Sequence, residues 1–273
     1  MAPSARKKLL PLALCLGLAF LAPACCAQAS DRQPLEEDKA ALQRQVGFDD
    51  HLPNERNPAG LHIQFSKIGE SNVEQGHFSI YKAYVPGASE NQKYLLAVWR
   101  IGFDPQVLPG DVYVNTKGLL MVNKPRPDQE NKDSVEGGDE DDFSIQAARG
   151  EPVRYLLFTL DMDFSVPGTV VPYPVEAKHG NCRLEARLTK PDGIAVLVYA
   201  DGLPADSNVP YQSISGNESH PGSFHTNGSG HAAAIVLPTA AGKDAGVLKV
   251  SIAAKECSVS VEIPWGKGSY HPF

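Results

Sequence analysis

The feature that most constrains this fold is a two-residue alternation of apolar and polar side chains in two stretches near the C-terminal end. Cys182 begins a run in which every second residue as far as Leu188 is apolar, and Cys257 begins a run of the same kind that reaches Ile263. This period is that of a β-strand with one buried face. Each cysteine lies on the apolar phase of its run, so we predict that both sulfurs point into one core and form a disulfide.

Cysteine placement along the chain indicates an oxidising compartment. Three of the five cysteines, Cys15, Cys25 and Cys26, lie before the favoured cleavage site described next. Two cysteines, Cys182 and Cys257, remain. An even number of cysteines in an exported protein is typical of a structural disulfide. The alternative is two buried free thiols.

Residues 1–29 have the pattern of a secretory signal peptide. Three basic residues at positions 6–8 precede the apolar run 9–23, and Ala27-Gln28-Ala29 provides a small-residue cleavage site. The run is shorter than the ~20 residues of a membrane-spanning helix, so we predict an exported, periplasmic or extracellular protein with no span in the mature chain. Residues 21–25 also resemble a bacterial lipoprotein box, which would lipidate Cys25 and tether the protein to a membrane, although Pro23 departs from that pattern.

Charge argues against nucleic acid as a partner. Removal of residues 1–29 takes away three basic and no acidic residues, so the 25 basic residues of the chain become 22 against 32 acidic ones. Binding to a phosphate backbone depends on clustered Lys and Arg, which an acidic chain of this kind does not provide.

Composition and turn residues predict an all-β protein of two tandem β-sandwich domains. The chain has 24 Gly and 22 Pro residues that separate short apolar runs. We predict a linker or frayed helix at 30–58, an N-terminal sandwich at 59–172 with a solvated acidic loop at 124–142, and a C-terminal immunoglobulin-like sandwich at 173–273. Pro167-Gly168, with Pro172 and Pro174, is predicted to be the connection between the domains.

A family resemblance covers about the last hundred residues. Residues 202–209 read GLPADSNV, a Gly- and Asn-rich turn follows at 227–230, and the last strand ends in PWG. This resembles the immunoglobulin-like modules of bacterial exported and surface proteins, which often carry a G-L-x-P-x-x-x-V segment. The resemblance implies a β-sandwich that serves as a spacer or binding module, and it transfers no catalytic residue.

The candidates for metal chemistry are the three histidines His220, His225 and His231, which lie in one loop-rich stretch. Histidine is a common metal ligand and general base, but spacings of five and six residues fit neither H-E-x-x-H nor a site partnered by C-x-x-C. The alternative is a polar hairpin loop. The acidic loop 124–142 offers carboxylates to Ca²⁺ but lacks the spacing of an EF-hand.

Two further sites have a structural and a functional interpretation. Trp99 shares its phase with Leu95, Ala97 and Ile101, which predicts a core residue; the alternative is an exposed platform for a sugar ring. Asp161 and Asp163 are predicted to cap a turn rather than to act as an acid and base pair.

Together these features predict a non-enzymatic module of the cell envelope or surface, acting without a cofactor as a spacer or binding domain for protein or glycan. One alternative is a secreted metal-dependent hydrolase that uses His220, His225 and His231 with carboxylates of the acidic loop. The other is an envelope assembly factor that offers an open sheet edge to its partner.

Overall fold

The computed structural model describes Asn57 and residues 59–74, 76–90, 92–123, 142–254 and 257–272. Over these ranges the protein is all-β, with seventeen strands and no helix. Within them, accordingly, no helix has the length and apolar character needed to cross a membrane. The strands are β1 Gln64–Val73, β2 Gly76–Tyr84, β3 Leu95–Trp99, β4 Gln106–Val107, β5 Asp111–Val114, β6 Leu120–Asn123, β7 Phe143–Ile145, β8 Val153–Phe158, β9 Ser165–Val170, β10 Val175–His179, β11 Cys182–Leu188, β12 Val196–Asp201, β13 Asn208–Ser215, β14 Glu218–His225, β15 Ala232–Val236, β16 Ala245–Ala254 and β17 Cys257–Gly266.

The C-terminal strands form two four-stranded antiparallel sheets, with strand orders β10-β11-β12-β15 and β14-β13-β16-β17. We call them the C-terminal sheets. The alternation seen in the sequence explains their packing, since β17 is buried and exposed at successive residues from Cys257 to Pro264. The inward residues form one core cluster, the C-terminal core, whose fully buried members include Leu184, Phe224 and Ile263.

The predicted bridge is present in the structure and joins the two C-terminal sheets. Cys182 begins β11 in one sheet and Cys257 begins β17 in the other, with 5.6 Å between their Cα atoms. Both residues belong to the C-terminal core. The order of the strands differs from that of an immunoglobulin constant domain, in which the second strand pairs with the fifth. Here the second strand of the sandwich, β11, pairs with the third, β12, through a hairpin.

That hairpin turns at Pro191-Asp192-Gly193. The backbone N–H of Gly193 donates to the carbonyl of Lys190 at 3.0 Å, and Gly193 has φ +63°. A Cβ at this position would lie 3.0 Å from the carbonyl oxygen of Pro264. Glycine is therefore needed here both for the backbone conformation and for the close approach of β17.

The N-terminal strands form sheets of three, four and two strands, with orders β1-β2-β7, β4-β3-β8-β9 and β5-β6. We call them the N-terminal sheets. Single bridges at Tyr84↔Leu119 and Tyr94↔Val112 connect the small β5-β6 sheet to its neighbours. Their inward residues form a second cluster, the N-terminal core, which contains the fully buried Leu96 and Leu157.

The structure differs from the sequence prediction at the supposed connection between domains. Pro167-Gly168 lies inside β9, which pairs with β8 at the edge of its sheet. An edge strand tolerates proline because one side makes no ladder hydrogen bonds. Gly168 is explained by a close approach, since a Cβ there would lie 2.5 Å from the Cβ of Ile63.

Two other sequence predictions were wrong. The stretch that contains His220 and His225 is not a loop but strand β14, which pairs with β13 over eight residues. Trp99 is half-buried and belongs to neither core; Leu96, on the opposite phase, is the fully buried residue of β3. The guanidinium of Arg154 lies 5.7 Å from the centre of the Trp99 ring.

Candidate binding cleft and junction between the cores

A buried ion pair lies where the two cores meet. Arg100, directly after β3, donates to both carboxylate oxygens of Glu151, from Nε at 2.9 Å and from Nη2 at 2.8 Å. The hydroxyl of Tyr270 lies 2.8 Å from the same Nη2 and 2.9 Å from Oε2 of Glu151. The Glu151 side chain is 0% exposed and also accepts from the backbone N–H of Ala148 at 2.8 Å. We call Arg100, Glu151 and Tyr270 the junction network.

The buried carboxylate of Glu151 has hydrogen-bond donors at both oxygens, which is what a buried charge requires. Both oxygens of Glu151 accept hydrogen bonds from groups that are far apart in the sequence. Burial acts to lower the pKa of Arg100, but the hydrogen bonds and charge of Glu151 raise it on balance. Burial and then the charge of Glu151 raise the pKa of the Tyr270 hydroxyl. At neutral pH Arg100 is therefore a guanidinium and Tyr270 a neutral phenol.

Backbone and apolar contacts surround the junction network. Ile101 follows β3 and Ala148 lies between β7 and β8, so both come from the N-terminal half of the chain. Both are nevertheless members of the C-terminal core. The carbonyl of Gly150 accepts from the N–H of Leu188 at 2.7 Å. A Cβ on Gly102 would lie 2.4 Å from the ring of Pro191, so these two turns are in close contact. Two residues from the N-terminal half of the chain, Ile101 and Ala148, thus pack in the C-terminal core next to the ion pair.

A cleft of about 710 Å³ opens beside Arg100 among the N-terminal sheets. This volume lies within the range of known ligand sites, which are mostly apolar with a few polar groups. Most of the side chains around it are apolar, while Arg100, Asp142, Ser144, Gln146 and Tyr155 supply the polar atoms. The apolar residues that line the cleft are Phe78, Val98, Leu108, Pro109, Val122, Phe143, Ile145 and Val153.

Aromatic packing holds one wall of the cleft in place. The rings of Tyr155 and Phe143 are perpendicular with their centres 6.1 Å apart, and Phe65 packs against both from behind. Edge-to-face contacts of this kind favour fixed ring positions. Burial raises the pKa of the Tyr155 hydroxyl, so this side chain is a neutral phenol at neutral pH. The wall is therefore uncharged and rigid.

The three predicted metal ligands have three different partners. His225 contacts the Asn208 side-chain oxygen, His231 Nδ1 lies 2.7 Å from Asp201 Oδ1, and His220 Nε2 lies 3.5 Å from Glu218. His220 and His225 are five residues apart on β14, which separates their Cα atoms by roughly 17 Å along the strand. In the part of the chain that the structure describes, no group of three His, Cys, Asp or Glu residues is arranged to hold a metal ion. The carboxylates of the proposed hydrolase lie in the acidic stretch, and residues 124–141 are outside the described ranges, so that hypothesis stays a prediction.

The remaining sequence candidates have structural roles or lie outside the described residues. Asp161 accepts hydrogen bonds from the Thr159 hydroxyl at 2.5 Å and from the N–H of Asp163 at 3.2 Å, and these bonds lower its pKa. It therefore caps the turn between β8 and β9. Cys25, the predicted signal peptide 1–29 and the segment 30–56 are outside the described residues.

Sequence reasoning missed the junction network altogether. Arg100 and Glu151 are 51 positions apart, and Tyr270 lies near the end of the chain. A single Glu after the turn Arg149-Gly150 looks like any solvated residue of a loop. The only available signal was Arg100 itself, a charge placed directly after an apolar strand.

Comparison with known proteins gives no family. No family model matches the chain, and no curated protein matches it. Among solved structures, the chain is similar to a tetra-tandem repeat in the extending region of a large adhesion protein, with 7% identity and a TM-score of 0.26. The match covers 77% of this chain and 50% of that chain, so it spans about half of the solved repeat chain. At this TM-score the similarity carries no argument about fold or function.

Proposed function

We propose that this chain is a non-enzymatic, exported module of the cell envelope or surface, and that it serves as a rigid spacer and binding module for protein or glycan. In this proposal residues 59–172 and 173–273 are two β-sandwich domains that move as one body. The observation that supports it is the junction network, in which a fully buried Glu151 joins Arg100 to Tyr270.

Rigidity follows from the physical character of this junction. Interfaces between domains are usually small and polar, and relative motion is the default. Here separating the cores would expose Ile101 and Ala148 and would leave the buried carboxylate of Glu151 without its charged partner. Breaking a buried pair in this way costs about 3–5 kcal/mol, so the open state is rare. A module that holds its two ends at a fixed distance is what a spacer requires.

The bridge between β11 and β17 supports the location. A disulfide in the interior of a sandwich persists in oxidising compartments and is rare in the cytosol. The proposed export through residues 1–29, with either cleavage after Ala29 or lipidation at Cys25, gives the chain access to such a compartment.

The proposal is tested by expressing the full chain with a C-terminal epitope tag and separating the cells into cytosolic and exported fractions. We expect the tag in the exported fraction, the Cys182–Cys257 bridge intact by mass spectrometry of non-reduced peptides, and an N-terminus at Ser30 or a lipidated Cys25. Recovery of the full-length, reduced chain from the cytosol would contradict the proposal.

The hydrolase alternative has its own test on the purified protein. It requires stoichiometric Zn²⁺ that survives dialysis and is lost in His225→Ala. Because His225 contacts Asn208 on the neighbouring strand, we expect no retained zinc and the same thermal stability in the variant as in the wild type. Retained zinc that depends on His225 would replace our proposal with the hydrolase.

A specific observation favours a second candidate function, that of an assembly factor with an open sheet edge. Strand β7 has one neighbour, β2, among the described residues, and it lies along the apolar cleft. An exposed edge next to apolar pockets is the arrangement by which several domains recruit an extended partner segment.

A further inference from the structure

The cleft runs along the edge of a strand rather than over its face. Five consecutive residues, 142–146, line the cleft, and three of them form β7. Side chains of a strand point alternately to its two faces, so five residues in a row border one cleft only where the cleft follows the backbone edge. The occupant of the cleft therefore meets main-chain groups as well as side chains.

The other edge of β7 is already paired. Ile145, Ser144 and Phe143 pair with Ser79, Ile80 and Tyr81 of β2 in antiparallel register. In the described part of the chain no strand pairs with β7 on its cleft side. An edge of this kind presents a row of N–H and C=O groups to any extended segment that lies alongside it.

Across the cleft from β7, the opposite wall suits apolar side chains. This wall is lined by Val98 of β3, by Leu108 after β4 and by Val122 of β6. Each of these side chains is buried or half-buried. A strand added at β7 would direct alternate side chains into these apolar positions, which provides specificity, while its backbone provides affinity. The bordering residues extend over roughly 17 Å, which matches about five residues of extended chain.

Charge at the cleft favours a basic occupant. Asp142, exposed at the rim, is a carboxylate, and the positive charge of Arg100 is already matched by Glu151. The whole chain has a formal net charge of −7. An occupant that carries Lys or Arg beside its apolar residues would be attracted, and one that carries extra carboxylates would be repelled.

The acidic stretch of this chain does not have that chemistry. Residues 124–141 contain seven carboxylates against three basic residues, and Val135 is their one large aliphatic residue. A polar segment of like charge gains little from apolar walls beside Asp142. This argues for a segment supplied by another protein.

We infer that the cleft beside β7 is a binding site for an extended segment of a partner protein, about five residues long, with alternating apolar residues and basic flanks. This segment joins the sheet as a strand at the edge of β7 that no described strand occupies. This inference gives the proposed binding role a specific site and ligand chemistry. It rests on that role, but its test uses purified protein and depends on neither export nor rigidity.

The test measures fluorescence anisotropy of a labelled, end-capped peptide, KVTVYVK, titrated with the full chain. Two matched peptides isolate the two sources of recognition. In the first, the amides of alternate residues are N-methylated, which removes backbone donors and keeps every side chain. In the second, both lysines are replaced by glutamate. We expect micromolar binding of KVTVYVK, a loss of about tenfold or more for the N-methylated peptide, and a smaller loss for the peptide with glutamates.

Two protein variants locate the site. Ser144→Pro removes a backbone donor from β7, and Pro109→Trp places a large ring at the rim from an exposed position. Both should weaken binding of KVTVYVK by about tenfold or more, with circular dichroism spectra like that of the wild type. Because Pro109 is exposed, its variant keeps the test valid if Ser144→Pro fails to fold.

Several results would overturn the inference. These are no saturable binding up to about 1 mM peptide, equal affinity for the N-methylated peptide, or full affinity in Pro109→Trp. Displacement of KVTVYVK by a peptide of residues 35–46 would instead identify the N-terminal segment of this chain as the occupant and would also overturn it. Failure of the export test with intact peptide binding would contradict the proposed location alone.

Discussion

The C-terminal and N-terminal sheets differ in the length of their shortest strands. The C-terminal sheets are two sets of four, and their strands β16 and β17 pair over ten residues each. The N-terminal sheets have four, three and two strands, and although β1 and β2 are long, β4 and β7 have only two and three residues. The long pairing of β16 with β17 helps to close a sandwich with a disulfide across it, whereas the short strand β7 borders a cleft and pairs on one edge only among the described residues. In the function that we propose, the C-terminal sheets provide stability and the N-terminal sheets provide the binding surface.

The largest expected effect concerns the bridge of the C-terminal sheets. Replacing both Cys182 and Cys257 by serine removes a link between residues that are 75 positions apart. The loop-entropy relation gives a loss of about 4 kcal/mol in the free energy of unfolding. Urea denaturation under oxidising conditions measures it, and hydrogen exchange should show the loss of protection in β11 and β17. The wild type treated with reductant is the control and should show a similar loss. A change below about 1 kcal/mol would contradict a stabilising role of the bridge.

The next effect concerns the junction between the two regions. Glu151→Gln removes the carboxylate that Nε and Nη2 of Arg100 contact. We expect the free energy of unfolding to fall by about 3 kcal/mol. The matched control is Asp111→Asn, which removes an exposed pair with Lys93 and should cost less than about 1 kcal/mol.

The form of the unfolding curve provides a second test of the same variant. If the junction couples the two cores, the wild type unfolds in one transition and Glu151→Gln in two. Equal losses for Glu151→Gln and Asp111→Asn, with one transition in both, would mean that the ion pair does not join the cores.

A smaller effect distinguishes backbone conformation from packing in the C-terminal sheets. Gly180 and Gly193 both have positive φ, +58° and +63°, but a Cβ on Gly180 meets nothing within 4 Å. Gly180→Ala should therefore cost only the left-handed conformation, about 1 kcal/mol, and Gly193→Ala about 2 kcal/mol because of its contact with Pro264. Chemical denaturation of the two variants measures the difference, and equal costs would show that β17 moves to accommodate the methyl group.

The smallest effect is a pH dependence on the outer face of the C-terminal sheets. A hydrogen bond from Arg183 lowers the pKa of Glu176 below 4.5. The folded state therefore binds this proton less tightly than the unfolded state. The stabilisation is present above about pH 4.5 and is lost as the pH falls through the lower folded value. We expect less than about 1 kcal/mol because the pair is close to solvent.

This pH dependence is measured by comparing Glu176→Gln with the wild type in thermal unfolding from about pH 6 to pH 3. Over this interval the melting temperature of the wild type should fall further than that of the variant. Parallel profiles for the two proteins would remove Glu176 from the acid sensitivity of the fold.

The sequence predicted the two regions unequally, for physical reasons. Alternation from Cys182 and Cys257 predicted β11, β17 and the pairing of their sulfurs, because a half-buried strand shows its period directly. β9 and β14 were missed because Pro167, Pro221 and glycines look like turn signals, although an edge strand tolerates them. The cleft depends on which strands lie at edges, and this is a property of tertiary pairing. The junction network joins residues from three distant parts of the chain, which no local pattern reveals.

The most direct test of the account measures the distance between its two regions. Spin labels on unnatural amino acids at Lys117 and Lys243, both exposed, avoid the cysteines and report on the N-terminal and C-terminal sheets respectively. Pulsed electron resonance on the full chain should give one narrow distance distribution for the wild type and a broad one for Glu151→Gln. A broad distribution in the wild type, or the same narrow one in both proteins, would contradict the claim that the buried ion pair of Arg100 and Glu151 holds the two cores as one rigid body.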